Sequence, residues 1–141
     1  MKFIMEKENI LGLLYEFDDV FPHNREKISD YSQWAEKISK YGVAAIVEQA
    51  GITAGLAVFY ENDFTEGKGY ISLIGLKEQF RGSGLGQEFL DDIIAEMTMQ
   101  KMRSVYLEVD NDNPRAFSFY IKYGFIVEER KDYTKMLKYI I

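Results

Sequence analysis

The sequence predicts one domain of the α/β or α+β class that spans residues 1–141. A chain of 141 residues has the length of a single domain. Segments with strand-like and helix-like patterns alternate along it, without a repeat at a fixed period and without a linker rich in proline, glycine or serine. Hydrophobic residues make up 47% of the chain and aromatic residues 15%, which is enough apolar surface for a packed core and excludes a disordered chain.

The first half of the chain predicts a short strand, two helices and two further strands. Apolar residues recur at helical spacing in two segments, and Gly42 stands where the C-cap of the second helix is expected. A polar connection that contains glycine, residues 61–69, ends this half. The predicted elements are a strand at residues 3–5, a helix at residues 10–17 that is ended by residues 21–24, a helix at residues 30–40, and strands at residues 43–49 and 55–60.

The second half of the chain predicts a βαβ unit followed by a helix and a hairpin. Its first strand is almost wholly apolar, which is typical of a central strand covered on both faces. A glycine loop and an amphipathic helix follow, and we expect a right-handed crossover to the next strand. Asn113 and Pro114 supply an N-cap and a first helical proline for a short helix that stops at Gly124. The predicted elements are strands at residues 70–76 and 105–110, helices at residues 85–97 and 114–123, and hairpin strands at residues 125–129 and 133–140 on a tight turn.

Charge and composition exclude several classes of function. Lysine and arginine number 17 against 23 aspartates and glutamates, and the resulting net charge of −6 disfavours binding to nucleic-acid phosphates. The chain has no cysteine, which excludes disulfide scaffolds, thiolate zinc sites and a covalent cysteine intermediate. Charge interrupts the amino terminus before an apolar signal segment forms, and no apolar run approaches the roughly 20 residues of a membrane helix. We therefore expect a cytoplasmic protein with no metal, no nucleic-acid partner and no membrane partner.

The segment Arg81-Gly82-Ser83-Gly84-Leu85-Gly86 is a glycine loop between a strand and a helix. Such a loop gathers free backbone N–H groups and the positive end of the helix dipole, which together bind phosphate. Its glycines let a pyrophosphate approach the main chain, and Arg81 adds a full charge. The Lys-Ser/Thr pair of a Walker loop is missing after Gly86, and Gln87 breaks the Rossmann spacing. A tight turn without a ligand is the alternative interpretation.

At this loop the sequence resembles the GNAT superfamily of N-acetyltransferases. Arg81-x-x-Gly84-x-Gly86 matches the form of that family's acetyl-CoA loop, and Asn113-x-x-Ala116-x-x-x-Tyr120-x-x-x-Gly124-Phe125 resembles its second acyl-CoA segment. The resemblance implies the GNAT fold, a mixed and mostly antiparallel central sheet of about six to seven strands flanked by about four helices, with a βαβ unit that binds acetyl-CoA. The cofactor-binding residues that it implies are Leu76, Arg81, Gly82, Ser83, Gly84, Leu85, Gly86, Asn113 and Ala116.

The resemblance also implies direct attack of a primary amine on the thioester of acetyl-CoA, which is a cosubstrate. The backbone N–H of Leu76 is the candidate donor to the thioester carbonyl, and Gly75 beside it is either a bulge or an accommodation to packing. Tyr120 occupies the family's general-acid position, where a phenol with a pKa of about 10 lies close to a leaving thiol with a pKa of about 8.5. An ordinary core tyrosine is the alternative for Tyr120.

Glu108 is the candidate general base. It stands twelve residues before Tyr120, as in family members that resemble bacterial ribosomal-protein alanine acetyltransferases. Strand alternation places Glu108 on one face with Tyr106 and Asp110, and a carboxylate in such a strand is costly unless it faces a polar cleft. The alternatives are a solvated strand glutamate at this position, or a base at Glu48, Glu61 or Asp63.

The acceptor is expected to be a small cationic amine, with a protein amino group as the alternative. The acidic surplus attracts cations. Only about three residues join the last two strands, where peptide-acetylating members carry a longer loop, so an open site for a small molecule is expected along residues 21–25 and 60–63. His23, the only histidine, is either a loop residue or an acceptor contact. A non-catalytic acyl-CoA-binding domain is the alternative to an enzyme, and we expect a monomer or a homodimer.

Overall fold

The computed structural model describes residues 1–21 and 30–141. Within these ranges seven strands form one sheet in the order β1-β2-β3-β4-β5-β7-β6. The strands are β1 Lys2–Ile4, β2 Val43–Gln49, β3 Ile52–Tyr60, β4 Lys68–Leu76, β5 Ser104–Asp110, β6 Ile126–Arg130 and β7 Thr134–Ile140. The helices are α1 Lys7–Glu16, α2 Tyr31–Tyr41, α3 Leu85–Met99 and α4 Pro114–Tyr123, with a 3-10 turn at Glu78–Phe80. The predicted numbers of strands and helices are confirmed.

Helices cover both faces of the sheet, and each face has its own hydrophobic core. Alternate residues along a strand point to opposite faces, so neighbouring residues of β2 and β3 contribute to different cores. One core joins the sheet to α3 and α4 and contains Phe59, Phe89, Ile93, Leu107 and Phe125, all almost fully buried. The other joins the sheet to α1 and α2 and contains Ile10, Phe17, Ile38, Leu56 and Leu73.

The sheet is antiparallel except at its centre, where β4 and β5 run parallel. Helix α3 connects these two strands, which confirms the predicted βαβ unit. Their parallel register covers only the first part of each strand, and the last pair is Ile71 with Leu107. Beyond this pair β4 stays bonded to β3 and β5 stays bonded to β7. The centre of the sheet therefore opens into a gap.

One helix end differs from the sequence-based expectation, whereas the predicted C-cap at Gly42 is confirmed. Helix α1 ends at Glu16, because the Phe17 N–H closes the last turn on the Leu13 carbonyl, well before the segment predicted to end it. Gly42 does follow α2, but its φ of −115° and ψ of −173° are extended and not left-handed. Glycine is required there for space, since a Cβ would lie 2.8 Å from the Tyr60 ring.

The capping prediction for α4 is confirmed. The Asn113 side chain accepts a hydrogen bond from the Ala116 N–H at 3.2 Å, and Pro114 takes the first helical position. Gly124 ends the helix with a φ of +128°. Among the helices of residues 1–21 and 30–141, none is long and apolar enough to cross a membrane.

Candidate active site

The gap between β4 and β5 contains a cavity of about 670 Å³. Ile71 and Leu107, the last paired residues, both line it, so the cavity begins where the parallel pairing stops. Side chains from both faces of the sheet reach the cavity. The side of α3 and α4 contributes Arg81, Asn113, Ala116 and Tyr120, and the side of α1 contributes Asp19, Val20, Phe21, Tyr70, Glu108, Asp110 and Thr134.

The glycine loop has the geometry of an anion cradle. Gly82 and Gly84 have φ values of +81° and +86°, which favour glycine, and a Cβ at either position would meet nothing within 4 Å. Gly84 is the N-cap residue of α3, and no side chain caps this helix. The first turn of α3 therefore offers its backbone N–H groups and the positive end of its dipole to a ligand. These features fit the pyrophosphate of coenzyme A.

The backbone of Leu76 faces the gap. The N–H of Lys77 donates to the Ala54 carbonyl of the neighbouring strand segment at 2.9 Å. Successive N–H groups of a strand point to opposite edges, so the N–H of Leu76 points away from β3, toward the side where β5 has separated. The carbonyl of Leu76 points the same way and accepts a hydrogen bond from the Arg81 Nε at 3.2 Å. This orientation supports Leu76 as a donor to a substrate carbonyl.

The bulge in β4 lies at Ser72 and not at Gly75. Ile71 pairs with Phe59 and Leu73 pairs with Val58, so Ser72 is the extra residue. Gly75 pairs regularly with Leu56. A Cβ at Gly75 would lie 2.8 Å from the Phe21 ring. Of the two interpretations of Gly75, the accommodation to packing is the one that the structure favours.

Tyr120 lines the cavity from α4 and is only 9% exposed. Its ring packs edge-on against Phe119 and Phe125, at centroid distances of 5.3 and 5.5 Å. Its hydroxyl makes no hydrogen bond to any residue that the structure describes. Burial raises the pKa of Tyr120 above the ordinary value of 10.0, so the phenol keeps its proton near neutral pH. Before substrate binds, the pKa of Tyr120 is therefore not as close to the pKa of a thiol as expected from the sequence.

Glu108 lines the cavity from β5, on the strand face opposite the buried Leu107 and Val109. The Thr134 hydroxyl donates to its Oε2 at 2.9 Å, and the Lys131 ammonium donates to its Oε1 at 3.3 Å. Tyr70 also lines the cavity, and burial first and the Glu108 charge second raise the pKa of Tyr70. The polar cleft that a glutamate in this strand requires is therefore present.

The cavity has opposite charges at its two sides. Arg81, the first residue of the glycine loop, lines one side of the cavity and precedes α3, which begins at Leu85. Asp19, Glu108 and Asp110 line the side toward α1. No lysine lies among the described residues that line the cavity, although the ammonium of Lys131 pairs with Glu108 at 3.3 Å. One side suits an anion such as pyrophosphate, and the other suits a cation.

Other expected site residues lie away from the cavity. Glu48 lies on β2 with its carboxylate 3.7 Å from the Lys2 ammonium, and neither Glu61 nor Asp63 lines the cavity. Residues 60–63, which were expected along the acceptor site, do not line this cavity, and Tyr60 packs against Gly42. Of residues 21–25, Phe21 lines the cavity, and the others lie outside the described residues, as does His23.

Several cavity residues had no assigned role in the sequence. Tyr70 and Ser72 lie on β4, and alternation alone could have placed Tyr70 on a strand face. Thr134 and Lys131 reach Glu108 only because β7 pairs with β5 in the register that sets Glu108 opposite Met136. No local sequence signal specifies a register between strands so far apart in the chain.

Comparison with known proteins identifies the family. The Acetyltransferase (GNAT) family matches residues 9–125, and the chain belongs to this family. Spermine/spermidine N(1)-acetyltransferase from Bacillus subtilis (strain 168) is 26% identical over 81 residues, which cover 57% of this chain and 53% of that protein. N-alpha-acetyltransferase 50 from Danio rerio is 28% identical over 139 residues, with 87% of this chain and 82% of that protein covered. The chain thus spans about half the length of the first relative.

A solved structure confirms the fold. PaiA N-acetyltransferase from Thermoplasma acidophilum, in complex with coenzyme A, superposes with a TM-score of 0.76 at 16% identity and covers 99% of this chain and 98% of that chain. The predicted GNAT fold is therefore confirmed. The predicted enzyme class, an acetyl-CoA-dependent N-acetyltransferase, is confirmed at the level of the family.

Proposed function

We propose that this protein transfers the acetyl group of acetyl-CoA directly to a primary amine of a small cationic molecule. The observation that carries the proposal is the charge separation across the cavity, with Arg81, the first residue of the glycine loop, at one side and Asp19, Glu108 and Asp110 at the other. Coenzyme A is a polyanion and a primary amine is a cation near neutral pH. Each substrate is therefore attracted to its own side of the gap.

Three groups around the cavity supply the chemistry. Glu108 accepts the proton of the acceptor ammonium, directly or through water, so that the neutral amine attacks the thioester carbon. The Leu76 N–H donates to the thioester carbonyl oxygen as negative charge develops there. As the C–S bond breaks, Tyr120 donates its proton to the departing thiolate, and the second proton that the attacking nitrogen loses returns through water to the Tyr120 phenolate. Gly82, Ser83, Gly84, Leu85 and Gly86 hold the pyrophosphate together with Arg81, and Asn113 and Ala116 contact the remainder of the cofactor from α4.

A small polyamine is the acceptor class with the most support. The Bacillus subtilis relative is named for spermine and spermidine, and its match covers about half of that enzyme. The turn between β6 and β7 has only three residues, 131–133, which leaves the acidic side of the cavity without a long wall. A flexible polycation can enter such a site and place several charges against the carboxylates.

A panel of acceptors tests the proposal. Free thiol release from acetyl-CoA would be followed with spermidine, spermine, an amino sugar, lysine amide and a short peptide with a free amino terminus. We expect spermidine or spermine to give the highest kcat/KM. If none of these amines gives thiol release above buffer while acetyl-CoA still raises the melting temperature, the protein is a non-catalytic acyl-CoA-binding domain.

A peptide amino terminus is the second candidate acceptor. It is favoured by the similarity to the Danio rerio relative, which is named as an N-alpha-acetyltransferase and whose match extends over 87% of this chain. The short turn at residues 131–133 argues against it, because it provides no wall along an extended peptide. A kcat/KM for the peptide above that for every small amine would establish this second function.

A further inference from the structure

Both carboxylate oxygens of Glu108 have a hydrogen-bond donor before any substrate is present. Thr134, which is 8% exposed and belongs to β7, donates to Oε2 at 2.9 Å. Lys131, whose side chain is 40% exposed, donates to Oε1 at 3.3 Å. The two donors differ in kind, since one is a short hydroxyl fixed in the sheet and the other is a primary ammonium on a long side chain.

The backbone of Lys131 is fixed in the turn, whereas its side chain is held by an exposed ion pair with Glu108. Its N–H donates to the Thr134 carbonyl at 2.9 Å, which fixes the three-residue turn. Its ammonium has Glu108 as its ion-pair partner, and ion pairs this exposed are weak because water and salt screen them. The side chain can therefore leave Glu108 without any change in the sheet.

The ammonium of Lys131 has the chemistry of the proposed acceptor. A primary amine has to reach Glu108 in its protonated form and lose a proton there. Because the Thr134 hydroxyl already donates to Oε2, Oε1 is the carboxylate oxygen at which the amine binds. We propose that Lys131 occupies the acceptor-amine position at Glu108 and that every acceptor must displace it. This inference rests on the proposed function, with Glu108 as the base.

An internal competitor has a specific thermodynamic signature. It weakens the binding of every acceptor by the same factor, because the free energy of releasing Lys131 is the same whichever amine replaces it. A general effect of charge differs from this, since removal of one positive charge near the site helps a polycation more than a monocation. Comparing a monoamine with a polyamine therefore separates the two explanations.

The experiment is a calorimetric titration of the CoA-saturated protein with propylamine and with spermidine. For Lys131→Met we expect the Kd of both amines to fall by the same factor, about two- to fivefold, which corresponds to one exposed ion pair. Lys131→Arg keeps the charge and should not tighten binding. Lys135→Met is the matched control, because Lys135 lies on the same hairpin but contacts Asn111, at 2.7 Å.

Several results would overturn the inference. These are an unchanged or raised Kd in Lys131→Met, a larger gain for spermidine than for propylamine, an equal gain in Lys135→Met, or no amine binding to any variant. A merely structural role of Lys131 would not tighten amine binding. Since the titration requires no acetyl transfer, a chain that binds amines but releases no thiol would refute the proposed function and leave the role of Lys131 intact.

Discussion

Ile71 and Leu107 form the last pair of the parallel register between β4 and β5, and the next residue of β4 is the bulged Ser72. A bulge bends its strand and increases the local twist. The bend lies at the point where β4 and β5 separate, so it directs the end of β4 away from β5. The cavity of about 670 Å³ occupies the resulting gap.

Gly84→Ala tests the anion cradle. Gly84 has a φ of +86°, where an alanine costs about 1–2 kcal/mol, although there is space for its Cβ. The loop will avoid the conformation that binds pyrophosphate, and we expect the Kd of CoA to rise about five- to thirtyfold. Calorimetry measures this change directly.

Gly12→Ala is the control for the loop variant. Gly12 lies inside α1, and a Cβ there would also meet nothing within 4 Å. Alanine should stabilise the helix by about 0.5–1 kcal/mol and leave CoA binding unchanged. A weaker affinity for CoA in Gly12→Ala, or an unchanged one in Gly84→Ala, would argue against a cradle at the glycine loop.

Tyr120→Phe tests the general acid. The hydroxyl of Tyr120 makes no hydrogen bond to the described part of the chain, so its removal should not lower the free energy of unfolding. Loss of proton donation to the thiolate should lower kcat by about 10²-fold or more. Steady-state thiol release and CoA titration would show a lower kcat with an unchanged Kd.

Tyr123→Phe is the matched control on the same helix. The Tyr123 hydroxyl donates to Asp91 at 2.6 Å and does not line the cavity. Its loss should cost about 1 kcal/mol of stability and leave kcat unchanged. Equal kcat values in both variants would exclude Tyr120 as the acid.

Glu61→Gln tests the raised pKa of Glu61, which neighbours Glu96; neither residue lines the cavity. Burial, and then the hydrogen bond and charge of Glu96, raise the pKa of Glu61 from 4.5 to about 8. The buried Oε2 of Glu61 has no hydrogen-bond partner among the described residues, which disfavours a negative charge on this carboxyl group. Since the folded state holds the proton of Glu61 and the unfolded chain loses it, the free energy of unfolding falls as pH rises from about 4.5 to about 8.

Glutamine at position 61 cannot ionise, so the variant should lose less stability across this range. Because Glu61 is only partly buried, we expect the loss of unfolding free energy over this pH range to be about 1–2 kcal/mol larger in wild type than in the variant, and not the full value of the pKa shift. Urea unfolding at several pH values measures it. Parallel curves for the two proteins would show that the Glu61 pKa is the same in the folded and unfolded states.

Gly75→Ala tests the acceptor side of the cavity. A Cβ at Gly75 would lie 2.8 Å from the Phe21 ring and 3.1 Å from the Val20 side chain, and both residues line the cavity. The overpacked variant should lose about 1–3 kcal/mol of stability, and displacement of Phe21 should raise the KM of the amine without changing that of acetyl-CoA. Gly69→Ala crowds Met97, with a Cβ 2.7 Å from its sulfur, and should lose stability with both KM values unchanged.

Much of the fold follows from local sequence signals. The Asn113-Pro114 start and the Gly124 end of α4 are specified by capping chemistry within one turn. The glycine loop before α3 is equally local, because positive φ values select for glycine. These signals identify the two segments that the family shares.

The features that the sequence did not predict depend on contacts between distant segments. The C-cap at Gly42 was predicted, but the close approach of the Tyr60 ring from another strand, 2.8 Å from where a Cβ would lie, was not. The bulge at Ser72 arises from the pairing of β4 with β3, and the partners of Glu108 come from the register of β7. The residues of β4 and β5 alone do not specify how these strands pair with β3 and β7.

The most direct test of acetyl transfer in this cavity is a mass-spectrometric measurement of acetylated spermidine together with free thiol. For wild type we predict one acetylated amine for each CoA thiol released. Glu108→Gln keeps the shape of the side chain but not its basicity, and should lower the rate by about 10²-fold. Thiol release without acetylated amine, or an unchanged rate in Glu108→Gln, would contradict the account.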